Sequence, residues 1–169
     1  MDKARQQITG HTRIRDVMHS GKDGSVVVRD NATIDEVART VAADPWSRVV
    51  AVVNEKGTLV GVIPLDAVLN EVFMHILPEE FLADIVDLDT LLDFTKMTAA
   101  RVAKDIMQPP VSVTADETVR DAFRRMHKHR LGGIPVVDEA GNVLASVDML
   151  ELLQCWLKSR GELPPTNKT

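Results

Sequence analysis

Apolar residues along the chain recur at two different spacings, one typical of strands and one typical of helices. Segments of the two kinds follow one another in an order that occurs twice. Short β-branched runs predict buried strands, and segments with apolar residues at every third or fourth position predict amphipathic helices. The strand-like runs lie at 26–28, 48–63, 111–113 and 132–147, and the two longer stretches each contain two runs around a turn. The helix-like segments lie at 34–42, 65–73, 119–126 and 149–157. Each half therefore predicts the order strand, helix, strand, strand, helix.

The two halves align along their whole length, which indicates an internal duplication. The offset between matching residues is 89 for Met18 and Met107, 85 for Thr33 and Thr118, and 84 for Gly57 and Gly141. The falling offset places about four extra residues near 21–24 and one near 44–47 of the first copy. Both stretches have the composition of loops, where insertions cost little free energy.

Local signals agree with this division of the chain. Thr33 with Glu36, and Thr118 with Asp121, have the spacing of helix capping boxes. The sequences at 54–57 and 138–141 predict hairpin turns. We therefore predict repeat 1 at 12–77, an acidic helical linker at 78–100, repeat 2 at 101–160 and a disordered tail at 161–169.

The phrases VVAVVNEKGTLVGVIPLDAVL at 49–69 and IPVVDEAGNVLASVDMLELL at 134–153 resemble a tandem pair of CBS domains, the Bateman-type regulatory module. The resemblance extends over about residues 12–160. It implies an α+β fold in which two pseudo-symmetric β-α-β-β-α repeats pack as a pair. It also implies a cleft on each side of the pair, a homodimer, and a regulatory role without catalysis.

The composition of the chain limits the classes of partner that we expect it to bind. The chain has 169 residues, a net charge of −5, no Tyr and only 4% aromatic residues, which disfavours nucleic-acid binding. The longest apolar runs are far shorter than the roughly 20 residues that cross a bilayer, so direct membrane insertion is not expected. Cys155 is the single cysteine, which favours a cytoplasmic setting, and the cytosolic part of a membrane protein would look the same. No nucleophile, acid–base or paired-carboxylate set stands out, so we expect no enzyme.

The resemblance implies adenine-containing effectors: AMP, ADP, ATP or S-adenosylmethionine, with or without Mg²⁺. In the family the ligand contacts a Gly-hydrophobic-x-Thr/Ser-x-x-Asp pattern at the third strand and the helix that follows it. Both copies depart from it, because Pro64 and Asp148 occupy the Thr/Ser place and Ala67 and Glu151 occupy the Asp place. A carboxylate at position 148 would repel phosphate unless a cation compensates. Asp148 and Glu151 also have the spacing of a capping box that needs no ligand.

The implied contacts divide between two clefts. One cleft combines Asp148 and Glu151 with Gly24, Ser25, Val26, Arg48, Val49 and Val50, and Arg48 offers a compensating positive charge. The other combines Pro64, Leu65 and Asp66 with Pro110, Val111, Ser112, Gly132, Gly133 and Ile134. If one cleft binds a ligand, we expect it to be the first.

The predicted function is a regulatory module that binds a small effector, which we expect to be an adenine nucleotide. It signals to a transporter or enzyme by rearrangement of its repeats. One alternative is a Mg²⁺-responsive part of a transporter or channel, because residues 79–93 carry six acidic side chains and no basic one. Another is a ligand-free dimerisation scaffold. Trp156 and Phe73, on matching helices, are candidates either for the dimer contact or for the core of each repeat.

Overall fold

The computed structural model describes residues 8–18, 25–76 and 100–162. The first half contains β1 (Val26–Arg29), α1 (Ile34–Ala43), β2 (Val49–Val53), β3 (Leu59–Pro64) and α2 (Leu65–Ile76), after a 3₁₀ turn at Ile14–Asp16. The second half contains α3 (Ala103–Ile106), β4 (Val113–Thr114), α4 (Val119–His129), β5 (Gly133–Val137), β6 (Val143–Asp148) and α5 (Met149–Ser159). The predicted α+β class and the repeated β-α-β-β-α order are confirmed.

Each half forms a three-stranded sheet with the same topology. The strand orders are β1-β2-β3 and β4-β5-β6; in each sheet the first pair is parallel and the second antiparallel. A parallel pair needs a long crossover, which α1 and α4 supply, whereas an antiparallel pair needs only a hairpin. The two hairpin turns contain Gly57 and Gly141, both at φ +82°, a backbone conformation that glycine adopts without a Cβ clash.

The first strand of repeat 2 is shorter than predicted. The pattern predicts a strand at 111–113, and β4 begins only at Val113. Pro109 and Pro110 precede this segment and have no backbone N–H to donate to a neighbouring strand. The Arg125 guanidinium donates a hydrogen bond to the carbonyl of Ser112, so a side chain takes the place of a strand partner.

The helices begin where the capping residues predict. Thr33 and Glu36 form both hydrogen bonds of a capping box at α1, and Thr118 and Asp121 do the same at α4. The bond from the Thr33 backbone lowers the pKa of Glu36, and its hydroxyl lowers it further. The hydroxyl and then the backbone of Thr118 lower the pKa of Asp121. Both carboxylates are therefore held in the charged form that favours a helix N-terminus.

The segment that precedes each repeat packs on the other repeat. The N–H of Ile14 donates to the carbonyl of Glu117 at 2.9 Å, and the N–H of Val119 donates to the carbonyl of Thr12 at 2.9 Å. In the matching place of repeat 1, the N–H of Ala103 donates to the carbonyl of Ala32 at 2.8 Å. The two halves therefore exchange their leading segments around a pseudo-two-fold axis.

The hydrophobic cores follow the same exchange. Ile14 is fully buried in the core of the second repeat, against residues such as Met126 and Ile134. Ala103 is fully buried in the core of the first repeat, with Val37. Because each core contains residues from the other half, the two repeats are packed into one structure.

We predict that Ile14→Ala destabilises the protein by about 3 kcal/mol, because the change leaves a cavity in the core of the second repeat. His11→Ala, an exposed position in the same segment, should change the stability by less than about 0.5 kcal/mol. Urea unfolding of both variants measures the difference. Equal stability of the two variants would show that the leading segment contributes no core contact.

Low pH should reduce the contribution of the loop at 112–117 to the free energy of unfolding. Partial burial raises the pKa of Glu117, but hydrogen bonds from Arg125 and from the N–H of Thr114, with the charge of Arg125, outweigh burial and lower that pKa below 4.5. A lowered pKa in the folded state stabilises the protein above the unfolded-state pKa, and this contribution is lost as the pH falls through the folded-state value.

Glu117→Gln should therefore be less stable than the parent by roughly 0.5–1 kcal/mol near neutral pH, a modest value for a partly exposed ion pair. The difference should shrink as the pH falls below the ordinary glutamate pKa and through the lower folded-state pKa, where the parent carboxylate becomes protonated as well. Urea unfolding at several pH values measures this change. A difference that is constant with pH would contradict the assigned charge interaction.

Candidate ligand-binding cleft

A candidate cleft borders the place where a strand of each repeat reaches the other. The Ser25 hydroxyl, just before β1, donates to the Ser146 hydroxyl of β6 at 3.2 Å. Side chains two residues apart on a regular strand share a face, so Val27 continues the face that begins at Ser25. Leu144, two residues before Ser146, is the extra residue at the register shift between β5 and β6. Val27 is 40% exposed and Leu144 is 52% exposed. We call this region, defined by Ser25, Val27, Leu144 and Ser146, the open cleft.

Beside the open cleft, the two repeats approach each other at two glycines. A Cβ on Gly132 would lie 3.2 Å from the Cβ of Arg48, and a Cβ on Gly133 would lie 3.2 Å from Cγ1 of Val49 and 3.4 Å from the Cβ of Asp148. The absence of side chains at these positions allows the strands of the two repeats to approach closely. Arg48, Gly132, Gly133 and Asp148, which the sequence analysis divides between two clefts, therefore lie together.

Asp148 caps helix α5 beside this junction. Its Oδ1 accepts a hydrogen bond from the N–H of Glu151 at 2.7 Å, and Oε2 of Glu151 accepts one from the N–H of Asp148 at 3.1 Å. The capping-box interpretation of this pair is confirmed. A helix N-terminus ordinarily attracts anions through its free N–H groups. Here a carboxylate occupies one of them, so the helix start disfavours phosphate and can accept hydroxyl or amino donors.

The matching surface on the other side of the pair is less accessible. Val62, the counterpart of Ser146, is fully buried. Its backbone pairs the edge of β3 with Gln108: the N–H of Val62 donates at 3.1 Å and its carbonyl accepts at 2.8 Å. Met107 packs against Gly61, which alternates with Val62 along the strand, so its sulfur lies on the opposite face of β3.

The remaining predicted ligand residues differ in what they can offer. The side chains of five of them are buried in the cores and leave only backbone for a ligand: Val26, Val49, Val50, Val111 and Ile134. Pro64 is also buried, in β3, whereas Asp66 and Pro110 are exposed. The carbonyl of Ser112 accepts from Arg125. Gly24 lies outside the described residues.

The described ranges contain no cluster of His, Cys, Asp and Glu that could hold a metal ion. The acidic segment 79–93, on which the Mg²⁺ alternative depends, lies outside them, and so does almost all of the linker predicted at 78–100. Within residues 8–18, 25–76 and 100–162, no helix is long and apolar enough to span a bilayer.

Two apolar residues of the open cleft are absent from the sequence prediction. Val27 lies in a run of three valines, where no alternation indicates which side chain is exposed. Leu144 lies in the predicted third strand, and its exposure depends on how the repeats pack. The available signal was the duplication itself: the counterparts of Val27 and Leu144 are Ser112 and Val60, so the two clefts differ in their apolar lining.

Two repeats of one fold that exchange their leading segments define a class of paired-domain protein. Residues 14–73 and 103–157 each match the family model of the CBS domain. The chain belongs to the CBS-domain family and contains a tandem pair of these domains.

Two curated relatives match most of the chain. An uncharacterized protein of Methanocaldococcus jannaschii is 29% identical over 159 residues, which cover 85% of this chain and 90% of that protein. A homoserine O-acetyltransferase of Methanococcoides burtonii is 27% identical over 141 residues, which cover 82% of this chain. The chain spans only 23% of the length of that second relative.

Solved structures of CBS-domain pairs are similar in fold. A CBS-domain protein of Thermotoga maritima has a TM-score of 0.68 at 27% identity, with 89% of this chain and 97% of that chain covered. The structure of CBSX2 in complex with AMP has a TM-score of 0.64 at 20% identity, and the match covers 88% of this chain and 98% of that chain. The CBS pair of protein MJ0100 in complex with 5′-methylthioadenosine and S-adenosyl-L-methionine has a TM-score of 0.59 at 20% identity. The match covers 85% of this chain and 94% of that chain.

We predict that Asp148→Ala lowers the stability by about 1 kcal/mol, because helix α5 loses its N-cap. Asp148→Asn should keep the stability within about 0.5 kcal/mol, since asparagine caps helices as well as aspartate. Urea unfolding of the two variants tests whether position 148 acts through its cap. A large loss in the Asn variant would indicate that the charge, rather than the cap, stabilises this helix.

Proposed function

We propose that the protein is a non-catalytic regulatory module that binds an adenine-containing effector in the open cleft. The observation that carries this proposal is the exposure of Val27 and Leu144, two apolar strand residues beside a pair of serine hydroxyls. Sites for small molecules combine apolar surface with a few polar groups that fix orientation. At the matching position of the other cleft, Val62 is fully buried and has no hydroxyl to offer a ligand.

The chemistry of the cleft favours particular parts of such a ligand. The flat faces of adenine suit Val27 and Leu144, and the serine hydroxyls suit its ring nitrogens. The Asp148 carboxylate suits ribose hydroxyls or the amino and sulfonium groups of S-adenosylmethionine, and it repels phosphate. The AMP, 5′-methylthioadenosine and S-adenosylmethionine bound by the related CBS pairs support the adenine class. Within that class we expect the less anionic members to bind more tightly.

The effector would act by changing how the repeats are arranged. β1 and β6 belong to different repeats and both border the cleft, so a ligand that contacts both strands favours one spacing of them. Such a ligand shifts the equilibrium only by the difference between its affinities for the two arrangements. The change would pass to a regulated transporter or enzyme, and we propose that the module works as a cytoplasmic homodimer.

Thermal unfolding with a panel of adenine compounds tests the proposal. The panel contains AMP, ADP, ATP, adenosine, 5′-methylthioadenosine and S-adenosylmethionine, each with and without Mg²⁺. A ligand at 100 times its dissociation constant adds about 2.7 kcal/mol to the free energy of unfolding. For a chain of this length, that raises the melting temperature by about 5–10 °C. The absence of a shift with every compound would reject the adenine class, and a shift with Mg²⁺ alone would favour the cation-responsive alternative.

Variants locate the site in the same assay. Leu144→Arg places a long charged side chain in the open cleft and should abolish the shift, whereas Glu139→Arg, in the exposed hairpin turn of the same sheet, should preserve it. Asp148→Asn removes the charge and keeps the helix cap, so it should increase the affinity for AMP about tenfold. An unchanged shift in Leu144→Arg would place binding elsewhere.

A further inference from the structure

The outward side of α4 carries a row of positive charges. Arg120, Arg124 and Lys128 are four residues apart, a spacing that aligns side chains along one side of a helix, and all three are exposed. At the rise of an α-helix, the row is about 12 Å long. Phe123 lies beside the row and is 55% exposed, and its ring stacks on that of His127. An aromatic side chain therefore accompanies the charges.

The leading segment of the chain extends this row beyond the start of α4. A Cβ on Gly10 would lie 3.1 Å from Nε of Arg120, so the Arg120 side chain packs on the leading segment. Arg13 of that segment is exposed, and its backbone forms a bridge with Thr118. The Arg13 guanidinium donates to the backbone carbonyl of Asp116, which carries no net charge. We call this surface the basic face, defined by Arg13, Arg120, Arg124 and Lys128.

The charges of the basic face are not neutralised within the described segments. No ion pair joins any of its four residues to an acidic group of those segments. Two neighbouring cations do have partners, since Arg15 pairs with Asp116 and Arg125 pairs with Glu117. Asp121, the only acidic residue of α4, offsets one of the charges at most. The basic face is therefore available to an anionic partner.

The fold itself does not require these charges, as the other repeat shows. The positions of α1 that match the row on α4 carry Asp35, Arg39 and Ala43, whose charges sum to zero. Both helices start with the same capping box and connect the same pair of parallel strands. Since α1 does this without a basic row, the row on α4 points to a contact outside the repeat.

We propose that the basic face binds the surface of a membrane that contains anionic lipids, with Phe123 at the level of the headgroups. Clusters of Lys and Arg on a helix attract anionic headgroups, and an exposed aromatic ring adds apolar contact at the interface. The outward side of a helix is convex, and fluid headgroups adapt to such a surface, whereas a folded acidic partner needs carboxylates at fixed matching positions. This peripheral contact requires no spanning helix. It goes beyond effector binding and does not depend on it.

Co-sedimentation with vesicles tests the proposal. The vesicles consist of phosphatidylcholine alone or of phosphatidylcholine mixed with phosphatidylglycerol, each at about 50 and 500 mM NaCl. We expect binding only to the anionic vesicles and only at low salt. The double variant Arg124→Glu, Lys128→Glu should lower the partition coefficient at least about 30-fold. The matched control Arg39→Glu, Lys56→Glu changes the net charge equally at exposed positions of repeat 1 and should lower it less than about threefold.

Circular dichroism melting checks that every variant is folded. Phe123→Ser keeps all the charges and should lower the partition coefficient about fivefold, because the ring no longer contacts the interface. The proposal is overturned if the parent protein does not bind anionic vesicles at low salt, or if the two double variants lose binding equally. Poly-L-glutamate in solution gives a further comparison. If it binds as tightly as the vesicles and Phe123→Ser has no effect, the partner is an acidic protein and the membrane proposal is wrong.

Discussion

The exchange of leading segments between the repeats is the constraint on which the rest of the structure depends. Ile14 completes the core of the second repeat and Ala103 completes that of the first, so neither sheet is covered by its own half alone. The exchange also brings β1 and β6 together at the Ser25–Ser146 contact. The open cleft is consequently a property of the pair.

Duplication produced two equal folds, and later substitution made their surfaces unequal. Both sheets have the same topology and the same turn glycines, because burial and backbone geometry restrict those positions. The clefts and the helix faces are less restricted. One cleft has exposed apolar strand residues, whereas Val62 at the matching position is fully buried, and α1 and α4 carry opposite net charge. A symmetric scaffold thus carries one candidate effector site and helix faces of unequal charge.

Sequence patterning predicts nearly every element, because strand and helix periods, capping boxes and turn glycines are local signals. It does not predict the exchange: Ile14 is a single apolar residue between two arginines, and its burial depends on contacts about 100 residues away along the chain. It also cannot identify the open cleft, since the valines at 26–28 show no alternation. The sequence predicts only part of the role of Asp148. Its helix cap is a local signal, whereas its position beside Gly133 depends on how the strands pack.

Because of the exchange, the residues of the two cores become available at different times during synthesis of the chain. The first core draws its residues, Ala103 among them, from 26–107, one continuous stretch of chain. The second core joins Ile14 and Val17, near the start, to residues as late as Leu152. A chain emerging from the ribosome can therefore complete the first core while the second half is still being made. The second core closes last, when the early segment meets the late one, and this step carries the larger loop-closure entropy.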